Sequence, residues 1–132
     1  MERQKKVVDT SVIVKCFLQE DKTDKAVTLI ENHLMNNIEI VVPELFFLEV
    51  LNTLRYKEKD ENKLNETIKI LLNAKFLIVP LNQFILERSL EISLQYDLSI
   101  YDALYAALSQ IHGCSLVTED KKLKKFPSAV AL

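Results

Sequence analysis

Four acidic side chains occur in or next to apolar segments, where an ionised group would destabilise the fold. Asp9 interrupts the apolar run "VVDTSVIV", Glu49 lies inside "LFFLEVLN", Asp102 inside "IYDALYAAL", and Asp120 follows "LVTE". No Lys or Arg lies within four residues of Glu49. A buried carboxylate without a cationic partner has a raised pKa and destabilises the fold. Because hard divalent cations bind carboxylates, a metal ion would offset this cost.

Short Val, Ile and Leu runs separated by helical patterns predict the order β-α-α-β-α-α-β-α-α-β-α-β. Such strands indicate a parallel sheet with helices on both faces. Asp9 would end the first strand, with Thr10 or Ser11 as the N-cap of the next helix, and Asp120 would follow the fourth strand. Ligands of open α/β sheets bind beyond the carboxyl ends of the strands. We therefore expect these acids to share one edge of the sheet.

Length and composition limit the classes of function. A chain of 132 residues suits one domain, 1–132, and a single glycine excludes glycine-rich phosphate-binding loops. The net charge of −2 argues against whole-surface attraction to nucleic acid, although bound cations can invert the local field. No apolar run is long enough to span a membrane, and we expect no signal peptide at "MERQKK", because Asp9 and Lys15 interrupt the apolar run that follows. Two distant cysteines, Cys16 and Cys114, indicate reduced core thiols in a cytoplasmic protein.

Each acid also has a structural interpretation. Asp9 could cap the first helix, Asp102 could form a capping box with Ser99, and Asp120 could interact favourably with a helix N-terminus. Glu49 has the weakest interpretation of this kind. Four acids at one edge without basic partners would repel one another strongly unless cations were bound.

The segments "VVDTSVIV", "PELFFLEVLN", "LSIYDALYAAL" and "LVTEDKKL" resemble, in order, spacing and local setting, those of the PIN-domain ribonucleases. The resemblance covers essentially the whole chain and is closest to the small VapC-type toxins of prokaryotic toxin–antitoxin pairs. It implies a three-layer α/β/α domain with a five-stranded parallel sheet in the order 3-2-1-4-5. It also implies cleavage of RNA that depends on Mg²⁺ or Mn²⁺.

The acids of that family match Asp9, Glu49, Asp102 and Asp120, with Thr10 and Ser11 following the first. We expect Asp9 and Asp102 to bind metal directly, while Glu49 and Asp120 bind a second ion, hold water or act as a base. The hydroxyl groups of Thr10, Ser11 and Thr118 would orient carboxylates or phosphate. Attack by water would leave a 5′-phosphate and a 3′-hydroxyl.

The resemblance implies two protein partners, an antitoxin and a second copy of the chain. The helix around Glu49 gives an independent reason for a partner, because its apolar residues surround much of its circumference. These are Phe46, Phe47, Leu48 and Leu51. The alternative is that the chain's own next helix, "DENKLNETIKILLNAK", covers this surface entirely.

Two other classes of protein compete with the nuclease. A receiver-like signalling domain needs an aspartate after its third strand and a lysine after its fifth, but these strands read "IVPLN" and "AVAL". A non-catalytic binding module on a PIN scaffold stays open. His33 and His112 lie beside no acidic motif. Lys15 could reach a phosphate, but the preferred interpretation is a solvated helix face. Tyr101 and Tyr105, at helical spacing, are predicted to be core residues.

Overall fold

The structure is a computed structural model that describes residues 2–132. The strands are β1 Gln4–Val8, β2 Ile38–Pro43, β3 Leu77–Val79, β4 Ser115–Val117 and β5 Ala129–Val130. The helices are α1 Thr10–Ile13, α2 Thr23–Leu34, α3 Leu45–Arg55, α4 Glu61–Asn73, α5 Gln83–Tyr96 and α6 Ile100–His112. Two short 3₁₀ turns, Val14–Cys16 and Leu123–Lys125, follow α1 and precede β5. The predicted order of elements is confirmed, the last predicted helix being the second 3₁₀ turn.

All strands pair in parallel in the order β3-β2-β1-β4-β5, which confirms the predicted fold class. In the register of β1 and β4, Val8 is opposite Val117. The Asp9 N–H continues this ladder by donating to the Val117 carbonyl (3.1 Å). Asp9 and Thr118 therefore lie next to each other where the two central strands end.

Helix packing covers the central strands and holds the elements that carry the site. Helix α6 packs across β1, β2 and β4, and α5 packs alongside it. The stretch Ala103–Ser109 is buried without interruption, because α6 has strands on one side and α5 on the other. Helix α6 ends at Gly113, whose φ of 60° is left-handed, as predicted. No helix within residues 2–132 is long and apolar enough to cross a bilayer.

Four details differ from the prediction. Pro43 ends β2 and α3 begins at Leu45, so Pro43 is not the first helical residue. The N-cap of α1 is Asp9, not Thr10 or Ser11. Tyr101 is 60% exposed, because it lies in the first turn of α6, before the buried stretch begins. Finally, Cys16 and Cys114 are free but only half-buried, at the margin of the core.

Candidate active site

Asp9 is the most deeply buried of the four acids, with 5% exposure. Its Oδ2 accepts hydrogen bonds from the Ser11 hydroxyl (2.7 Å) and the Thr118 hydroxyl (2.9 Å). Ser11 comes from α1 and Thr118 from the end of β4, so both elements fix the carboxylate. These donors are neutral hydroxyl groups, and no Lys, Arg or His within residues 2–132 forms an ion pair with Asp9.

Glu49 lies half-buried on α3, one helical turn after the buried Phe46. Its Oε1 accepts a hydrogen bond of 2.6 Å from the Tyr105 hydroxyl on α6. The same phenolic oxygen lies 3.0 Å from the Thr10 hydroxyl. This chain of contacts holds α1, α3 and α6 together beside Asp9. Sequence analysis predicted Tyr105 as a core residue, and its ring is buried, but the contact of its hydroxyl with Glu49 was not predicted.

Asp102 and Asp120 have structural roles as well as a place beside Asp9. The Asp102 N–H donates to the Ser99 hydroxyl (3.0 Å), as the predicted cap of α6 requires. Asp120 Oδ1 accepts from the N–H groups of Lys122 (2.9 Å) and Leu123 (3.2 Å), and so caps the second 3₁₀ turn. The bond to Ser99 fixes the backbone at Asp102, and the two N–H groups hold one oxygen of the Asp120 carboxylate.

The structure brings all four acids together in one open, polar cavity of about 410 Å³, which we call the acidic pocket. It is lined by Asp9, Thr10, Ser11, Val14, Lys15, Glu20, Glu49, Thr53, Lys57, Asp102, Glu119 and Asp120. Thr118 lies beneath it, fully buried against Asp9. The seven side chains predicted to form the site therefore come from the residue after β1, from α1, α3 and α6, and from the segment after β4.

Burial and the nearness of other acids raise the pKa values of three acids in this pocket. Burial raises the pKa of Asp9 above its usual 3.8, the hydroxyl groups of Ser11 and Thr118 oppose this, and the charge of Asp120 adds to it. Burial also raises the pKa of Glu49, which Tyr105 partly offsets, while Asp9 and Asp102 raise it further. For Asp102, burial and then the charges of Asp120 and Asp9 raise the pKa. The acids thus destabilise one another's ionised forms.

The donor set suits a hard divalent cation. Within residues 2–132, no three His, Cys, Asp or Glu side chains already form a compact ligand cluster. The acidic pocket nevertheless supplies carboxylate oxygens, which Mg²⁺ and Mn²⁺ prefer. Mg²⁺ retains several waters and needs few direct protein ligands. A cation there would relieve the repulsion that raises these pKa values.

Sequence reasoning missed several residues of the pocket. Glu20, Lys57 and Glu119 line it, and Lys15, interpreted as solvated, lines it too. Glu20 lies in an irregular connection, where no periodic pattern predicts the direction of a side chain. Lys57 follows the end of α3 by two residues. Glu119 could have been suspected as the neighbour of Asp120.

The chain is similar along nearly its full length to known proteins. Ribonuclease VapC3 of Pyrobaculum aerophilum is 28% identical over 132 residues, covering 96% of this chain and 98% of that protein. A toxin–antitoxin complex from Klebsiella pneumoniae superposes with a TM-score of 0.72 at 22% identity, covering 94% of both chains. VapC20 of Mycobacterium tuberculosis, a toxin that cleaves the sarcin–ricin loop, gives 0.76 at 15% identity, covering 93% of this chain and 95% of that one. The family model of the PIN domain matches residues 6–128, and the chain therefore belongs to the PIN-domain family.

Proposed function

We propose that this protein is an endoribonuclease that depends on Mg²⁺ or Mn²⁺ and acts as the toxin of a type II toxin–antitoxin pair in the cytoplasm. One observation carries the proposal: four carboxylates line a single pocket, where burial and mutual repulsion raise the pKa of Asp9, Glu49 and Asp102. The similarity to ribonuclease VapC3 supports RNA as the substrate.

Asp9 and Asp102 would hold the first cation, and Glu49 and Asp120 a second ion or a water. A bound divalent cation supplies positive charge against the phosphate and lowers the pKa of an attacking water. The protein's part is to fix the ligands, because Ser11 and Thr118 bind one oxygen of Asp9 and stop its carboxylate from rotating. Such fixed orientation strengthens ligand binding.

Tyr105 gives Glu49 a similar support. Burial, followed by the negative charge of Glu49, raises the pKa of Tyr105 above its usual range, so the hydroxyl stays a neutral donor. Its hydrogen bond holds one oxygen of Glu49. The raised pKa of Glu49 favours acceptance of a proton from water. Glu49 is therefore our candidate for the general base if it does not bind the second ion.

Helix α3 has an apolar surface that is only partly covered within the chain. Phe46 is fully buried, but Leu48 is 68% exposed, and Phe47 and Leu51 are half-buried. The last two line an apolar groove of about 120 Å³ between α3 and α4. Helix α4 therefore covers this side of α3 incompletely. We infer that an amphipathic helix of the antitoxin binds along α3, and that the toxin itself is a homodimer.

The test is cleavage of a 5′-labelled single-stranded RNA by the purified protein. We expect cleavage with Mg²⁺ or Mn²⁺, products with a 5′-phosphate and a 3′-hydroxyl, and complete loss of cleavage in EDTA. Cleavage that EDTA does not affect would contradict the metal mechanism. A protein that Mn²⁺ stabilises but that cuts no RNA would instead support the non-catalytic binding module. Light scattering of the same sample tests the homodimer.

A further inference from the structure

Two lysines share one glutamate at the wall of the acidic pocket. Lys15 lies in the first 3₁₀ turn, Lys57 follows α3, and Glu20 lies in the connection to α2. The Lys15 and Lys57 ammonium nitrogens lie 3.3 and 3.4 Å from the two oxygens of Glu20. All three residues line the acidic pocket, and the two lysines are the cations among its lining residues.

A second cluster of the same composition lies around Glu119 and differs in its contacts. Glu119 accepts from Lys22 at 2.8 Å, has Lys124 at 3.7 Å, and accepts from the Leu132 N–H at 3.0 Å. Its side chain is 12% exposed, against 29% for Glu20. Glu119 thus joins α2 to the end of the chain. Neither lysine of Glu20 is as near to its carboxylate as Lys22 is to Glu119, and the Glu20 carboxylate is the more exposed of the two.

These differences indicate that the lysines can exchange their partner. Charge-assisted N–H···O bonds are strongest at about 2.7–2.9 Å, and both contacts of Glu20 are longer. The hydrogen bonds and charges of Lys15 and Lys57 outweigh partial burial and lower the pKa of Glu20, so the lysines hold an ionised carboxylate. A phosphodiester carries the same charge and offers equivalent oxygens. It could replace Glu20 with little rearrangement of the lysines.

The pocket needs such a cation if its ligand is a polyanion. Asp9, Glu49, Asp102 and Asp120 repel phosphates, and one or two divalent ions neutralise only the site of cleavage. Adjoining phosphates of the same strand need a separate positive group. Lys15 and Lys57 line the pocket beside those acids.

We propose that Lys15 and Lys57 form a binding site for an RNA phosphodiester adjacent to the one that is cut. Glu20 is a positioning residue that keeps the two ammonium groups together until the phosphate displaces it. This inference rests on the proposed function, since it names how the same pocket holds its substrate.

The test measures binding and cleavage separately. Binding of a fluorescein-labelled, single-stranded octamer RNA to the Asp102→Asn protein in Mg²⁺ is followed by anisotropy between 50 and 300 mM NaCl. We expect Lys15→Gln and Lys57→Gln each to weaken binding about tenfold. Each should also reduce the slope of log affinity against log salt by about 0.7. Lys69→Gln, an exposed lysine of α4 paired with Glu66, is the matched control and should change neither value.

Two further variants separate binding from folding. The double variant with Lys15→Arg and Lys57→Arg keeps both charges and should bind RNA as the parent does. Glu20→Gln removes the competing anion and should tighten binding. Weaker binding in Glu20→Gln, to the extent seen in the glutamine variants of the lysines, would show that the cluster only supports the fold and would overturn the inference.

Cleavage by the otherwise wild-type protein distinguishes the two possible failures. If it cleaves RNA while Lys15→Gln and Lys57→Gln bind with unchanged affinity and salt slope, the phosphate site is wrong and the proposed function stands. If it cleaves no RNA but the lysine variants lose affinity as expected, the nuclease proposal is wrong and the phosphate site stands.

Discussion

At the amino end of the sheet, Glu39 of β2 accepts a hydrogen bond from Arg3 (3.0 Å) and lies 3.7 Å from Lys5. At the carboxyl end, Asp9, which follows the neighbouring strand β1, accepts from the neutral hydroxyls of Ser11 and Thr118. The first carboxylate has cations beside it, and the second has other acids. The same fold therefore neutralises charge at one end and concentrates it at the other.

Buried polar groups also differ between the two ends of the sheet. Towards the amino end, His33 is 4% exposed, accepts from the Ile40 N–H at 3.0 Å through Nδ1, and has Nε2 2.7 Å from the Ala74 carbonyl. Both ring nitrogens of His33 therefore have a backbone partner. Glu49 at the other end has one bond from Tyr105 and the charges of Asp9 and Asp102 nearby. The contrast indicates that the amino end is built for stability and the carboxyl end for binding a cation.

The largest effect should come from Asp9→Asn. Because this carboxylate is fixed by two hydroxyls at the centre of the acidic pocket, its loss should lower RNA cleavage by about 10²–10³-fold or more. The asparagine oxygen can still accept from Ser11 and Thr118, so the fold should be retained. Initial rates with Mg²⁺, together with circular dichroism, measure both. Cleavage at the wild-type rate would remove Asp9 from the mechanism.

At the amino end, His33→Ala should affect stability. It leaves the Ile40 N–H and the Ala74 carbonyl without their partner and removes a ring packed 5.0 Å from that of Phe76. We expect a loss of about 3 kcal/mol in the free energy of unfolding in urea. His112→Ala is the matched control, since His112 is half-buried in the last turn of α6, where the loss should be below about 1 kcal/mol. Equal losses would contradict the assigned role of His33.

Asp9→Asn should also stabilise the protein in EDTA, by roughly 1 kcal/mol at neutral pH. The folded pKa of Asp9 is raised, so the folded state binds more protons than the unfolded state. Stability is therefore lost as pH rises from the ordinary pKa of 3.8 through the raised value. Thermal unfolding between pH 4 and 8 should show a flatter profile for the variant. If Asp9→Asn were less stable than the wild type at pH 7, the fold would stabilise the ionised carboxylate of Asp9, and this prediction would be wrong.

The smallest effect should come from removing an ion pair at the amino end of the sheet. Arg3→Ala removes the ion pair with Glu39 and a hydrogen bond to Asn36 (3.1 Å), all at a partly exposed position. Screening by solvent limits the loss to about 1 kcal/mol or less, and 0.5 M NaCl should reduce it further. Urea unfolding at two salt concentrations measures this. A larger loss that salt does not change would mean that Arg3 acts through packing.

The sequence predicted the elements better than their contacts. Strands such as "IEIVV" and the cap at Gly113 follow from local patterns, and the resemblance implied the strand order that places Asp9 beside Thr118. Asp9 and Glu49 were found because each interrupts an apolar run, whereas Asp102 and Asp120 were found from the predicted strand ends and the family resemblance. Glu20 and Lys57 break no such pattern, since charged residues in connections are ordinary. Their place in the pocket depends on how α2 and α3 pack.

The same limit explains the two tyrosines. Tyr101 and Tyr105 are four residues apart and lie on the same face of a helix. The sequence pattern does not show which turn of α6 is covered by neighbouring elements. The structure buries Tyr105 and exposes Tyr101. The hydroxyl of Tyr105 then bonds to a residue 56 positions away. A contact of that range has no local signal.

Thermal unfolding during titration with Mn²⁺ tests the central claim most directly. A cation that binds the folded acidic pocket stabilises it by mass action, by about 2.7 kcal/mol at a concentration one hundred times its Kd. We predict a saturable rise in the Tm of the wild-type protein at pH 7, and none in a variant carrying both Asp9→Asn and Asp102→Asn. An equal rise in both proteins, or no rise in the wild type, would contradict the claim that these carboxylates form a metal site.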